Sequence, residues 1–494
     1  MTRPIEEFRR TIEAVASIAN ATFTGNPSTV ISGLTLNSNS VEQGDLFIAL
    51  PGEKAHGADF ASDAISRGAV AVLTDVAGSK KISGVPIIVS TNPRRAAGVV
   101  SAWFYGEPMR DLYSVGVTGT NGKTTVTTLL HQIMSAAGRE SGLIGTVETR
   151  IGDEVISSKR TTPESSELQA LTAVMRERHM RNLVMEVSSH AIALERIRGS
   201  HFSVVAFTNL SQDHLDFHKS MENYFAAKSK LFTFEFADLA VINIDDDYGK
   251  KLARDTELPV VTVSRDDPNA AWHYVSINRD YVGANISIRG SAGILIEGKV
   301  HLHGGYNFDN LLMAVAIATE SGIDPIDIAS ILPLLTGAAG RLESVRLGQN
   351  FTALVDYAHS PDAVTRVLET AREITDGRVI AVLGCGGDRD ASKRPLMGKA
   401  LHEGADISIF TSDNPRSEKP EEILIQMTLG LDIQEPSAVI QDRAEAIHAA
   451  VDEAQEGDVV LVLGKGHEKG QEIGNTMHPF DDRVELAKAI EDKK

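Results

Sequence analysis

The segment from Tyr113 to Gly138 constrains the fold more than any other. It opens on the apolar run Tyr113-Ser114-Val115-Gly116-Val117 and passes through Thr118-Gly119-Thr120-Asn121-Gly122-Lys123-Thr124-Thr125. Apolar residues then fall at Val126, Leu129, Leu130, Ile133, Met134 and Ala137. The first run predicts a buried strand, and the second spacing is one face of a helix that Gly138 can end. A strand feeding a helix through a glycine-rich turn belongs to an α/β fold with a largely parallel sheet. Such a turn lets backbone N–H groups and a helix N-terminus approach phosphate oxygens. Lys123 can then reach the β/γ-phosphates, and the Thr124 hydroxyl can ligand Mg²⁺. The strict Walker spacing asks for glycine at 117, where this chain has Val117, so the loop is a variant with Gly119 inside it. A plain turn with a surface lysine is the bland alternative.

The same alternation recurs along 494 residues, a length for two to four domains. Short apolar runs lie at 44–50, 69–73 and 86–89, and Gly and Pro interrupt the pattern at Tyr105-Gly106-Glu107-Pro108. Buried-strand patterns follow at 183–185, 204–207 and 239–242, while 285–301 reads as an antiparallel insertion or edge. After a second break at 336–340, runs return at 353–355, 379–383, 407–410 and 459–463. The expectation is three α/β domains: 1–108, then 109–338 with a P-loop ATPase-like parallel sheet, then a Rossmann-like 339–494. Unusual polar residues cluster where these strands end: 119–125, Glu186, Asn209, Asn243, Asp356, 384–390, 413–416 and 464–468. Open α/β sheets bind ligands at the carboxyl ends of strands, so these positions are candidate sites before any motif is named.

A net charge of -19 argues against a nucleic-acid surface spread over the molecule, though local sites can still hold anions. No apolar run approaches the length of a membrane span, and the charged N-terminus lacks a secretory h-region. A single cysteine, Cys385, permits no intrachain disulfide, which fits a cytoplasmic protein. No base-paired motif surrounds Cys385, so it reads as a small turn residue rather than a nucleophile.

Several motifs occur in order after the phosphate loop: Met185-Glu186-Val187-Ser188-Ser189-His190, Asn209 to Asp216, Asn243-Ile244-Asp245-Asp246, Gly305 to Asn310, Gly340-Arg341-Leu342-Glu343 and Asp356-Tyr357-Ala358-His359. With TGTNGKTT they resemble the Mur ligase family, amide-forming enzymes of cell-wall synthesis. The resemblance implies ATP and Mg²⁺ as cofactors and an acyl-phosphate intermediate. It implies that Gly119, Thr120, Asn121, Gly122, Lys123, Thr124 and Thr125 cradle ATP, with Asn243 and Asn310 at adenine and Asp356 at ribose. Arg341 would bind phosphate on domain closure. Glu186 is the natural Mg²⁺ ligand beside Thr124, since a hard cation prefers oxygen; His214 resembles a second-metal ligand. Lys228 would carry a carbamate that supports Mg²⁺, a reaction requiring a deprotonated amine; Lys230 is the competing choice. Lone helix lysines and histidines are otherwise ordinary surface or structural residues.

The first domain would hold the UDP part of a UDP-linked muramoyl dipeptide, with Ser38 in contact. Relatives carry Asp-Ser-Arg where this chain has Asn37-Ser38-Asn39, a departure that a simple turn would also explain. Thr161, Thr162, Ser188 and Arg196 match dipeptide contacts; Leu194 stands where relatives have glutamine. Asp413-Asn414-Pro415-Arg416 resembles the branch that adds meso-diaminopimelate rather than L-lysine. Arg416 can take the distal carboxylate bidentately, and Asp413 or Glu468 the distal ammonium. Arg389 and Gly464 would complete the pocket. A site built for a polar group rejects analogues lacking it by about 10⁴-fold or more. The expected partners are small molecules only, with the chain a monomer. Rival readings are the lysine-adding form, a folylpolyglutamate-type ligase sharing the ATP core, and a P-loop binding module. A dinucleotide oxidoreductase, suggested by Gly384-Cys385-Gly386-Gly387, fails on the G-x-G-x-x-G spacing.

Overall fold

The computed structural model describes residues 2–52, 54–158, 160–280, 282–474 and 476–493. They divide into two compact units, one running to Trp272 together with Met313–Ile323, the other comprising His273–Leu312 and the chain from Asp324 on.

Two larger sheets dominate the first unit, beside a two-stranded antiparallel pairing of Arg10–Thr11 with Val30–Ile31. A five-stranded sheet runs Thr22–Phe23, Ile87–Val89, Ala71–Thr74, Asp45–Ile48, Gly33–Thr35, parallel except at its first strand. In the other, parallel neighbours follow the order Ser141–Ile144, Asn182–Glu186, Tyr113–Thr118, Phe202–Phe207, Ala237–Asn243, Val260–Ser264. Strands covered on both faces read as continuous apolar runs, and Asn182–Glu186 is buried at every position. The chain leaves Tyr113–Thr118 toward one side and later returns to fill both flanks. That reversal opens a crevice at the carboxyl end of this strand. The helix after it, Lys123–Ala136, buries Val126, Leu129, Leu130, Ile133 and Met134, and Gly138 follows at φ +72°.

Apart from Trp272, the second unit carries an antiparallel meander of Trp272–Asp280, Gly283–Arg289 and Leu295–Val300. The insertion expected at 285–301 is thus real, but its first strand begins earlier, where the sequence alternates too weakly to mark it. A six-stranded sheet follows in the order Glu343–Ser344, Thr352–Asp356, Val459–Leu463, Val379–Cys385, Ile407–Ser412, Ala438–Val439. All but the first strand are parallel. Cys385 corrects its reading as a turn residue: it ends the strand Val379–Cys385 and packs in the core. Burial pushes its thiol up to about 12, so it is inert as a nucleophile.

One buried ion pair pins this sheet. Arg443 opens the helix Arg443–Glu453 and meets Asp482 at 2.7 Å, both side chains at 0% exposure. Arg443 Nη1 donates to Ser412 O at 3.2 Å and Nη2 to Leu463 O at 2.9 Å. Those carbonyls end two strands of the sheet, just before Asp413 and Gly464. Removing one partner of a buried pair leaves an uncompensated charge and costs about 3–5 kcal/mol. Asp482→Asn is expected to destabilise the second unit by that amount, measured by urea unfolding. An unchanged midpoint would show that the pair is dispensable.

Candidate active site

In the first unit, side chains gather around the loop 118–125. Register sets Glu186 beside Val117 on one side and Phe207 beside Thr118 on the other. Asn209 then folds over the loop, accepting from Thr120 N through its carbonyl at 2.9 Å and from Asn121 N through Oδ1 at 3.0 Å. The Thr208 hydroxyl donates to Asn121 O at 2.6 Å. Gly119 sits at φ +151°, and a Cβ there would collide with Thr208 Oγ1. Gly122, at φ +86°, starts the helix.

Two lysines converge on one carbonyl. Lys123 Nζ donates to Gly119 O at 3.0 Å and Thr120 O at 2.9 Å. Lys228 Nζ, from the helix Met221–Ser229, donates to the same Gly119 O at 2.7 Å and lies 4.6 Å from the Tyr224 ring centroid. Burial, and then the charge of Lys123, pulls the Lys228 amine well below the ordinary lysine range. Lys230, the competing choice, is exposed.

Glu186 is buried, and both its oxygens are held by a residue that no sequence motif marks. Thr146 donates through N to Oε1 at 2.7 Å and through Oγ1 to Oε2 at 3.1 Å. Thr161 Oγ1 lies 3.0 Å from Thr146 Oγ1. Thr162 Oγ1 donates to Glu186 O at 2.9 Å and accepts from Ser188 N at 3.0 Å. Ser188 in turn caps the helix Ser189–Ala193. Arg196 already has a carboxylate partner, Glu164 at 2.9 Å. His214 stands at φ +52°, 3.4 Å from Asp213, with its ring edge-on to His190 at 4.8 Å. His218 lies outside the sequence motifs, and His190 closes one without a role assigned to it; burial lowers the pKa of each. Among the described residues no three His, Cys, Asp or Glu side chains form a ready metal cage. Asn243 is buried, with Oδ1 accepting from Asp245 N at 2.7 Å. Elsewhere in the unit, Asn37 caps the turn Ser38–Ser40 and accepts from Asn39 N at 3.0 Å, so the Asn37–Asn39 departure is at least a turn.

In the second unit, loops at the sheet's carboxyl edge enclose a cavity of about 410 Å³ lined by Arg389, Asp413, Asn414, Arg416, Gly464 and Glu468, among others. Asn414 is its hub: Oδ1 accepts from Lys465 Nζ at 3.0 Å and Glu472 N at 2.9 Å, while Nδ2 donates to Glu468 Oε2 at 2.8 Å. Lys465 is fully buried and pairs with Glu468 at 3.2 Å. Burial raises the Asp413 carboxyl against the opposing pull of Arg443 and Lys465. Arg416 Nη1 donates to Gly387 O at 2.7 Å. Arg394, which the sequence motifs also leave out, is 2% exposed and grips Glu418 through both Nη atoms at 2.8 and 2.7 Å. The Asp356 oxygens accept from Leu342 N at 2.8 Å and Ala358 N at 2.9 Å, bracing the Arg341 loop. The Arg341 guanidinium lies 5.4 Å from the Tyr357 ring centroid. Asn310 is buried in the helix Gly305–Glu320.

The two glycine environments make a paired test. Gly119→Ala is expected to cost about 1–3 kcal/mol, the strain of a disallowed backbone plus displacement of Thr208. Gly138, at φ +72° and with open space where a Cβ would stand, should tolerate alanine better. Equal urea midpoints for the two variants would refute the collision.

Comparison with known proteins gives three family matches. The Mur ligase family, catalytic domain, matches residues 30–102; the Mur ligase middle domain matches 117–318; the Mur ligase, glutamate ligase domain matches 340–466. The UDP-N-acetylmuramoyl-L-alanyl-D-glutamate--2,6-diaminopimelate ligase of Streptomyces coelicolor is 47% identical over 475 residues, covering 94% of this chain and 93% of the relative. The enzyme of the same name from Streptomyces avermitilis is 46% identical over 470 residues, covering 93% and 92%. A solved structure of a ligase of that name superposes with a TM-score of 0.73 at 33% identity, covering 95% of this chain and 96% of its own. The chain belongs to the Mur ligase family.

Proposed function

We propose that this chain is an ATP-dependent ligase that joins meso-2,6-diaminopimelate to the D-glutamate of UDP-N-acetylmuramoyl-L-alanyl-D-glutamate, in the cytoplasm, for peptidoglycan synthesis. The observation that carries the reading is the second-unit cavity, where Arg416 stands with Asp413 and Glu468. Diaminopimelate ends in an ammonium and a carboxylate on one carbon, and a pocket offering both charge signs suits that end. The names of the relatives support the same substrate.

The chemistry follows from the loop. A carboxylate oxygen of the dipeptide attacks the γ-phosphorus of ATP, the bond to ADP breaks, and an acyl phosphate results. The amine then attacks the acyl carbon, phosphate leaves with the bonding electrons, and the amine gives up a proton. Both steps concentrate anionic charge, which fixed donors and cations stabilise. The 119–125 amides and Lys123 would hold the phosphates, with Asn243 and Asn310 at adenine, Asp356 at ribose and Arg341 at phosphate. Thr161, Thr162, Ser188 and Arg196 would meet the dipeptide, with Arg196 exchanging or sharing Glu164, and Ser38 the uridine diphosphate.

Mg²⁺ fits the donors present. Glu186 offers a buried carboxylate oriented by Thr146, next to the loop that carries Thr124. Mg²⁺ is usually held by one or two carboxylates plus phosphate and water rather than by a protein cage, which matches a site without three gathered ligands; His214 would serve a second ion. When bound, the ion offsets phosphate charge. A neutral Lys228 amine can add CO₂ with loss of a proton, placing an anion beside the loop. The three-part division at 1–108, 109–338 and 339–494 is supported by one principal parallel sheet in each span.

Phosphate release with the UDP-dipeptide, ATP and Mg²⁺ tests the reading. Diaminopimelate should be turned over with a kcat/KM about 10²-fold or more above that of L-lysine. Lysine preference would keep the ligase and remove the pocket assignment; no turnover with either would favour a folylpolyglutamate-type activity. For the carbamate, Lys228→Ala should lose activity by about 10²-fold or more, and a short carboxylic acid should restore part of it. Full activity in Lys228→Ala would remove the carbamate from the scheme.

A further inference from the structure

Arg416 is held in an unusual way. Its backbone lies at φ +51°, in the left-handed region that L side chains rarely adopt. Such a conformation persists only where neighbours over-determine it. Here the neighbour is Glu472. Arg416 N donates to Glu472 O at 2.9 Å, and Arg416 pairs with Ile473 in a parallel bridge. The side chains meet too, Arg416 Nε donating to Glu472 Oε2 at 3.1 Å. Glu472 is itself fixed by its own N–H on Asn414 Oδ1 at 2.9 Å, and by the hairpin Gly470–Ile473/Thr476–Pro479.

A guanidinium offers five N–H donors in a rigid fork. Glu472 takes the Nε hydrogen, and Gly387 O takes one on Nη1 at 2.7 Å. The side-on edge, Nε with Nη2, is therefore closed to a ligand carboxylate. The remaining hydrogens, one on Nη1 and two on Nη2, take no protein acceptor among the described residues, so a ligand carboxylate meets the group at its Nη end. With Nε and Nη1 both anchored, the plane of the group and the direction of that end are set. Glu472 is not among the residues lining the cavity, so it acts through Arg416.

We propose that Glu472 is a positioning residue for the amino-acid substrate: it locks Arg416 so that only its Nη end receives the distal carboxylate. The inference rests on the reading of this cavity as the diamino-acid site. Without the lock, Arg416 must lose rotamer freedom each time substrate binds, which weakens binding by about 10-fold.

The test uses the full chain and steady-state kinetics. Glu472→Met removes the acceptor while leaving backbone pairing with Met477 possible; Glu472→Gln keeps an acceptor oxygen. Glu472→Met should raise KM for diaminopimelate about 10-fold, leaving KM for ATP and for the UDP-dipeptide unchanged, and Glu472→Gln should recover most of the loss. In an Arg416→Ala background, Glu472→Met should have no further effect on KM for diaminopimelate. An unchanged KM in Glu472→Met overturns the proposal. So does an equal rise for all three substrates, or an effect that persists without Arg416. If the unaltered chain ignores diaminopimelate, or Arg416→Ala leaves its KM unchanged, the cavity reading itself fails and the proposal falls with it.

Discussion

A parallel sheet ends every strand on the same edge, and that constraint gathers most of the candidate site residues of this chain. Backbone groups at a strand's carboxyl end lose their ladder partners and must find others. Here they find them in the loops that carry the candidate site residues. Asp356 satisfies the amides of Leu342 and Ala358. Arg443 satisfies the carbonyls of Ser412 and Leu463. Asn209 satisfies Thr120 and Asn121 at the phosphate loop. The same bonds that close the sheet edges hold the polar loops in register.

Electrostatics then sorts the charged groups. Two ammonium groups on the single Gly119 carbonyl repel each other, and the more buried one yields its proton more easily. Lys228 is 1% exposed, so the cost falls on it, while Lys123 shares a second carbonyl at Thr120. For a lysine whose folded pKa is depressed, the unfolded chain binds more protons between the folded and unfolded pKa values. Stability contributed by this group therefore rises with pH across that window. In the second unit the sign is reversed: burial raises the Asp413 carboxyl, against Arg443 and Lys465, so the stability contributed by this group falls as pH rises through the corresponding window. Asp482 keeps Arg443 paired, which makes that distant carboxylate part of the pocket's electrostatics.

The strands, the phosphate loop and the polar strand ends were legible in the sequence because each is a local signal of period, glycine placement or residue type. Long-range partners were not. Thr146 meets Glu186 across 40 positions, and Arg416 meets Glu472 across 56. Nothing within a short window distinguishes these residues from any threonine in a turn or glutamate on a strand. Burial was equally hidden: Lys228 and Lys230 share one helix end, and the fold separates them by turning Lys228 onto Gly119 O and the Tyr224 ring. Cys385 looked like a turn residue because glycines follow it, yet the strand simply runs farther than its apolar core suggests.

Glu472 also changes how selectivity against L-lysine must be understood. On the sequence alone, a ligand lacking the distal carboxylate would leave Arg416 desolvated and alone. The structure gives Arg416 two standing partners, Glu472 and Gly387, and a side chain 24% exposed. The Nη hydrogens that lose a carboxylate can therefore turn to water. Leaving a partly hydrated donor unpaired costs less than stranding a buried charge. The rejection of lysine is then bounded by the lost charge-assisted bonds and by repulsion between its ammonium and Arg416, below what a sealed arginine would impose. A pocket built this way gains its preference mainly by binding the right end well, with Glu472 supplying the order that makes such binding strong.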